Sequence, residues 1–438
     1  MIGLEGYLVE VEIDINNGLP AFDIVGLPDA SVKESKERVR SAIKNSGLDY
    51  PIYKIIANLA PANTKKEGSI YDLALALGLL SATSQIPVHS VDDYILLGEL
   101  SLDGSLRKID GLLPMLISAR NQGYKKYIIP KDNAMEASFI DGIEIYACSS
   151  LTEVVKFLKG EEVIQKLQTN SYETIKQQTS SSNDFCYVKG QKQAKRALEI
   201  AAAGGHNVIM MGPPGSGKSM LAKAFPSILP DMTFDEALEV TKIHSVAGKL
   251  DHKQGIIVNR PFRSPHHTTT SIALTGGGNK AKPGEISLAH NGVLFLDELP
   301  EYPRQTVEVL RQPLEDGKIT VSRLNQSIEY PASFTLIASM NQCPCGYYGS
   351  KTHQCKCSAN QIHSYLNKLS GPLMDRIDLH VEVDGVEYKD LKSETIEESS
   401  EEIKKRVNKA RQIQTERFKG TSIHNNAEMT HAMCRRYC

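Results

Sequence analysis

No stretch of this chain is apolar for long enough to cross a bilayer. The longest, residues 73–82, falls well short of the ~20 residues a membrane helix needs, so no membrane contact is expected. A dominant charge is missing too. Fifty Lys and Arg stand against 52 Asp and Glu, a formal balance of −2, so a nucleic-acid partner would have to be held by a local basic surface. The first residues carry Glu5, Glu10 and Glu12 where a secretory leader is basic and then apolar, so export is not expected. There is no internal repeat. The eight cysteines are not spread as a disulfide framework; four crowd into residues 343–357, which points to a metal in a reducing, cytoplasmic compartment. What remains is an ordinary globular composition, 41% apolar and 23% charged, over 438 residues, enough for about two or three domains.

Residues 1–161 read as alternating strands and helices, an α+β or α/β domain. Val9, Val11, Ile13 and Ile15 alternate with Leu8, Glu10, Glu12 and Asp14, the period of a half-buried strand. Val32, Val39, Ala42 and Ile43 have helical spacing, stopped by Gly47. Further strand-helix pairs run through residues 54–61 and 71–80, then 94–100 and 112–123. Residues 162–184 are polar and Ser/Thr/Gln-rich and read as a linker. A second α/β domain spans 185–383. The tail, 384–438, opens on an acidic run and continues as a helix with Ile403, Val407, Ala410 and Ile413 on one face, ending at Gly420.

The strongest motif follows the apolar run 207–211. Gly212-Pro213-Pro214-Gly215-Ser216-Gly217-Lys218-Ser219 is a G-x-x-x-x-G-K-S phosphate loop, with a helix after it. Its glycines let backbone N–H groups wrap phosphates, Lys218 reaches the β- and γ-phosphates of ATP, and Ser219 ligates Mg²⁺. About 80 residues on, the apolar strand 293–296 ends in Asp297 and Glu298. Asp297 suits the Mg²⁺ shell, and Glu298 suits polarising the water that attacks the γ-phosphate. Strand 334–340 ends at Asn341, either an amide that reads the γ-phosphate or a turn-forming cap.

Cys343-x-Cys345 and Cys355-x-Cys357, nine residues apart, supply two thiolate pairs that a loop can bring together around tetrahedral, structural Zn²⁺. His353 is a candidate to displace one cysteine; free thiols and an iron–sulfur centre are the alternatives. Between the two carboxylate and phosphate motifs, residues 241–284 hold seven basic residues (Lys242, Lys249, Lys253, Arg260, Arg263, Lys280, Lys282) and four histidines against Asp251 alone. The segment reads as exposed loops that bind a phosphate backbone, or as a solvated face or subunit contact. The segment 317–323 reads as a strand leaving the core with Lys318 and Arg323 free for a ligand.

With these residues the second domain resembles the magnesium-chelatase-like branch of AAA+ ATPases, and nearly the whole chain resembles its ComM/YifB group. The specific pieces are residues 188–219, FRSPHHTTT, GVLFLDELPEY, NQCPCGYYG and SGPLMDRIDLHVEV. The resemblance implies an α/β multidomain chain with a Lon-protease-like domain at 1–161, a P-loop AAA+ domain at 185–383 with a zinc loop at 341–358, and a truncated helical lid from 384. It implies that Asn341 is sensor 1 and that Arg376 is an arginine finger acting on a neighbouring subunit. The residues alone leave Arg376 equally as a salt bridge to Asp375 or Asp378. A finger in trans implies a homo-oligomeric ring, and the resemblance to AAA+ proteins implies six subunits, the usual number there. The 241–284 segment corresponds to a helix-2 insert and the segment around Lys318 to a pre-sensor-1 hairpin, which in related ring motors grip nucleic acid.

In the Lon-like domain Ile70 stands where the family's serine would be and Leu113 where its lysine would be. Neither supplies a nucleophile or a base, so the domain reads as non-proteolytic, an assembly or DNA-binding platform. The chain begins a few residues short of the family's usual start and stops before the lid arginine of sensor 2, which points to better ATP binding than hydrolysis. The resulting expectation is a cytoplasmic ATPase ring that moves on single-stranded or branched DNA in recombination during DNA uptake. The alternatives are a chelatase-type motor remodelling a protein partner, an ATP-dependent protease, or an ATP-gated scaffold.

Overall fold

The computed structural model describes residues 2–176, 183–251, 253–278, 281–323, 326–350, 353–385, 397–421 and 423–437. It is a mixed α/β protein that divides into two compact units, Met1–Ile175 with His244–Ile257, and Lys176–Ile243 with Val258–Cys438.

In the first unit the alternation at the N-terminus forms strand Glu10–Asn16, with every second residue exposed. It pairs antiparallel with Lys54–Ala60, which pairs parallel with Ala21–Val25. Asp29 caps helix Ala30–Asn45 by accepting from the Val32 N–H at 2.8 Å. Helix Asp72–Ala82 is buried on nearly all sides, with Leu73, Leu75, Leu77, Leu79 and Leu80 inaccessible, because its run is apolar all round. A second, parallel sheet joins Tyr94–Leu96, Lys126–Pro130 and Glu144–Cys148. Ile70 packs against this core and Leu113 is buried.

Two expectations shift here. Residues 162–175 group with the first unit, tied by Leu167 N–H to the Ile145 carbonyl and Asn170 N–H to that of Ser138, so they are not a free linker. Residues 244–257 of the basic insertion also belong to the first unit. Ser245 donates to buried Glu136, Leu250 and Ile256 are buried, and Gly248 and Gly255 approach Asp110 and the Met135 carbonyl so closely that a Cβ would lie 2.7 and 2.5 Å from them.

The second unit is built on a five-stranded, wholly parallel sheet, ordered Phe262–Arg263, Val293–Leu296, Thr335–Met340, Val208–Met211, Leu379–Glu382. The central strands are buried on both faces, as their continuous apolar runs require. Lys318–Arg323 and Gln326–Pro331 form an antiparallel hairpin. In helix Ser400–Arg417, Ile403, Val407 and Gln414 are buried while Ile413 is exposed. At about 100° per residue, position 414 returns to the face of 403 and position 413 does not. The buried Gln414 amide is satisfied by donating to the Ala203 carbonyl at 2.8 Å.

Candidate nucleotide site

Three central strands of the parallel sheet release the phosphate loop, Asp297 and Asn341 at their carboxyl ends, the edge where open α/β sheets receive ligands. The loop is held to its shape by its glycines. Gly215 and Gly217 adopt φ of 76° and 90°, and a Cβ on Gly212 would stand 2.0 Å from the Val383 carbonyl oxygen. Lys218 is buried, and its Nζ donates to the carbonyls of Gly212 and Pro213 at 2.8 and 2.9 Å, with Ser216 Oγ and Asn341 Oδ1 at 3.4 Å. Burial pushes its pKa down and the nearby Asp297 and Glu298 oppose this. All four contacts are neutral, so no carboxylate competes directly for a charge that suits a polyphosphate.

Ser219 Oγ donates to Asp297 Oδ2 at 2.8 Å, so the two proposed Mg²⁺ ligands already touch. A hydroxyl beside a carboxylate is the hard oxygen set that this ion takes. The other oxygen, Asp297 Oδ1, accepts from Ser339 Oγ, which in turn accepts from the Glu298 N–H at 3.2 Å. Glu298 lies at φ 54° and is half-exposed, with His267 Nδ1 3.9 Å from its Oε2. Together with Asn341, Glu301, Pro344, Tyr365 and Lys368 it lines a cleft of about 770 Å³, a size usual for ligand pockets.

The cysteine loop lies beside this cleft. Sγ of Cys343 is 3.4 Å from that of Cys345 and 3.7 Å from that of Cys355, and all four thiols, Cys357 included, lie within 4.8 Å of one another. Four sulfurs at Zn–S of about 2.3 Å in a tetrahedron would be roughly 3.8 Å apart, so the donor set fits zinc. The N–H groups of Tyr347 and Lys356 pull the Cys345 thiol down to about 6. His353 is not in the cluster; its ring stacks on Tyr347 at 4.7 Å. Gly346, between the two thiol pairs, rests on Pro214 of the phosphate loop.

Arg376 pairs with neither acid that the sequence offered. Its Nη2 meets Glu315 Oε1 at 2.6 Å, while Asp378 faces His206 Nδ1 and accepts from the Asn207 N–H. The basic insertion is also less open than its composition implies. Arg263 makes a bidentate pair with Glu285 at 2.6 and 2.8 Å, and Arg260 reaches Glu236 at 3.2 Å. Lys280 lies outside the described residues, as does the side chain of Arg323, and Lys318 pairs with Glu329 at 3.7 Å. No helix among the described residues is long and apolar enough to cross a membrane.

Sequence reasoning missed Ser339, Glu315, His267 and Gln191. Gln191 Nε2 donates to the carbonyls of Ser216 and Asp384 and so ties the phosphate loop to the end of the last strand. Only Ser339 left a signal, a polar residue inside an otherwise apolar buried strand.

Family models match most of the chain. One described as magnesium chelatase, subunit ChlI, covers residues 184–391; another, subunit ChlI of Mg-chelatase, covers 11–133; and that for the ChlI C-terminal region covers 397–438. The chain is 42% identical over 438 residues to the competence protein ComM of Haemophilus influenzae, covering 99% of this chain and 85% of that protein. It is 44% identical over 418 residues to YifB of Escherichia coli, covering 95% and 81%. Lon protease 2 of Bacillus subtilis is similar to part of it, 29% identical over 167 residues, covering 34% of this chain and 30% of that protein.

Proposed function

This chain belongs to the ComM/YifB group of magnesium-chelatase-like AAA+ ATPases, and from that premise we propose that it forms a homo-oligomeric ring, six subunits in keeping with an arginine finger that acts in trans, and hydrolyses ATP to move on DNA. The observation that carries the ATPase reading is the direct contact of Ser219 with Asp297 beside a buried Lys218 held by neutral acceptors. Lys218 and the phosphate-loop amides, with Gly212, Pro213, Gly215, Ser216 and Gly217 shaping the loop, bind the phosphates. Ser219 and Asp297 would hold Mg²⁺, which would supply positive charge against the phosphates. Glu298 orients the attacking water and accepts its proton, Asn341 hydrogen-bonds the γ-phosphate or that water, and Arg376 of a neighbouring subunit meets the charge that develops on transfer. Cys343, Cys345, Cys355 and Cys357 would hold one structural zinc and so brace the loop.

Support for DNA as the track is kinship with a protein named for competence, which fits recombination during DNA uptake. The basic insertion supports it less, since Arg260 and Arg263 are engaged by acids of this chain. The apolar Ile70 and Leu113 support a Lon-like unit without proteolysis. The test is steady-state ATPase activity with no DNA, single strands, duplex and a four-way junction across a salt series. Stimulation that fades with salt supports a DNA motor. Robust turnover indifferent to every DNA favours a motor that remodels a protein partner, and nucleotide binding without turnover favours an ATP-gated scaffold.

A further inference from the structure

We propose that Glu315 is the positioning residue for Arg376, setting the guanidinium in place for its action on the neighbouring subunit's nucleotide; this rests on the arginine-finger reading of Arg376. The arginine is mounted at two points. At its base, the Arg376 carbonyl accepts from Asn207 Nδ2 at 3.0 Å, and Asn207 is itself fixed by giving its N–H to Asp378 and accepting the Leu336 N–H at 2.8 Å. At its tip, Nη2 meets Glu315 Oε1 at 2.6 Å. A long side chain with many rotamers is thereby held in one direction before any phosphate arrives, which is what preorganisation of a charge requires. The bond to Glu315 uses one N–H of Nη2 in a group with five N–H donors, so among the described residues Nε and Nη1 are left to take phosphate oxygens.

The pair is ill-suited to a purely structural task. Its side chains are 41% and 54% exposed, a setting in which ion pairs add little stability and salt screens them. Asp378, two residues along the chain, is engaged by His206 and Asn207, and the Arg376 guanidinium meets Glu315 instead. Glu315 sits near the end of helix Arg311–Asp316, just before Gly317 at φ 65° turns the chain into the Lys318–Arg323 hairpin strand. The carboxylate is thus carried by the element that leads into the hairpin, while the finger is carried by the turn that leads into the edge strand Leu379–Glu382.

The experiment compares Glu315→Ala, Glu315→Asp, Arg376→Ala and Lys218→Ala in the full chain, measuring kcat, KM, binding of a fluorescent ATP analogue and Tm. Glu315→Ala should lower kcat roughly ten- to hundredfold with analogue binding, KM and Tm held, the signature of a misplaced group, and Glu315→Asp should recover part of the loss. Mixing Glu315→Ala with Lys218→Ala should restore turnover, since the second variant supplies an intact finger to the first one's intact nucleotide site. Mixing Glu315→Ala with Arg376→Ala should not. Wild-type kcat in Glu315→Ala, or a loss that Lys218→Ala subunits fail to rescue, overturns the proposal. Wild-type turnover in Arg376→Ala overturns the finger reading itself and takes the proposal with it.

Discussion

Gly346, in the cysteine loop, lies so close to Pro214, in the phosphate loop, that a Cβ on it would stand 2.7 Å from Pro214 Cδ. Its φ of 84° would also strain any other residue. The residue before it, Cys345, holds its sulfur 3.6 Å from that of Cys355. A metal held by the four sulfurs would therefore fix the position of a wall behind the phosphate loop.

Removing the metal should loosen that wall. The purified chain should carry about one zinc, and chelation should weaken binding of a fluorescent ATP analogue by roughly ten- to hundredfold, reversed by zinc. Gly346→Val should weaken binding while keeping the metal. Nucleotide affinity that ignores zinc loss would break the link between the two loops.

Lys218 supplies charge that no neighbouring side chain duplicates among its direct contacts. Losing charge-assisted hydrogen bonds worth about 2–3 kcal/mol, Lys218→Ala should bind ATP roughly 100-fold more weakly or not at all. Isothermal titration measures this directly, and wild-type affinity in the variant is the outcome that removes the phosphate-loop role.

Glu298 and Ser339 should separate binding from turnover. Glu298→Gln should bind ATP and slow hydrolysis about 10²- to 10⁴-fold. Ser339→Ala strips a hydroxyl from Asp297 and an acceptor from the Glu298 N–H, and should cost about 1–3 kcal/mol in the barrier while analogue binding persists. Single-turnover hydrolysis reads the step; equal rates in Ser339→Ala and wild type would place the orientation of these carboxylates elsewhere.

Acid should weaken the fold in part through Glu239. His290 Nδ1 accepts the Ser333 N–H at 3.1 Å, so its proton sits on Nε2, 3.2 Å from Glu239 Oε2. That hydrogen bond is the main cause holding the Glu239 pKa below its ordinary 4.5, with burial opposing it. The folded state then binds fewer protons than the unfolded one, so this contribution is complete above about pH 4.5 and is lost as pH falls through the folded value. Urea midpoints of wild type and Glu239→Gln should converge as pH drops from 7 to below 4; a constant gap would show that Glu239 does not titrate with folding.

Much of the site was legible because it is contiguous. Gly212 to Ser219 and the pair Asp297 and Glu298 each fall on one turn, where covalent geometry leaves few ways to arrange them. How open the insertion is was not legible, for the opposite reason. Counting charge over 241–284 excluded Glu236 and Glu285, the acids that engage Arg260 and Arg263, by a few residues at either side. No composition window reveals a partner that the fold brings in from outside it.

By itself the sequence determined the phosphate loop, the carboxylates after an apolar strand, the two cysteine pairs and the apolar residues at 70 and 113. Each is a matter of residue type and short spacing, which the backbone carries unchanged into the fold. Only the tertiary structure decided that Arg376 meets Glu315 and not Asp375 or Asp378, that His353 stacks on Tyr347, and that Gly346 backs Pro214. It also placed residues 244–257 with the first unit. Those choices join residues whose separation along the chain says nothing about their distance. They follow from which strands lie side by side, and that is set by burying the whole apolar surface at once.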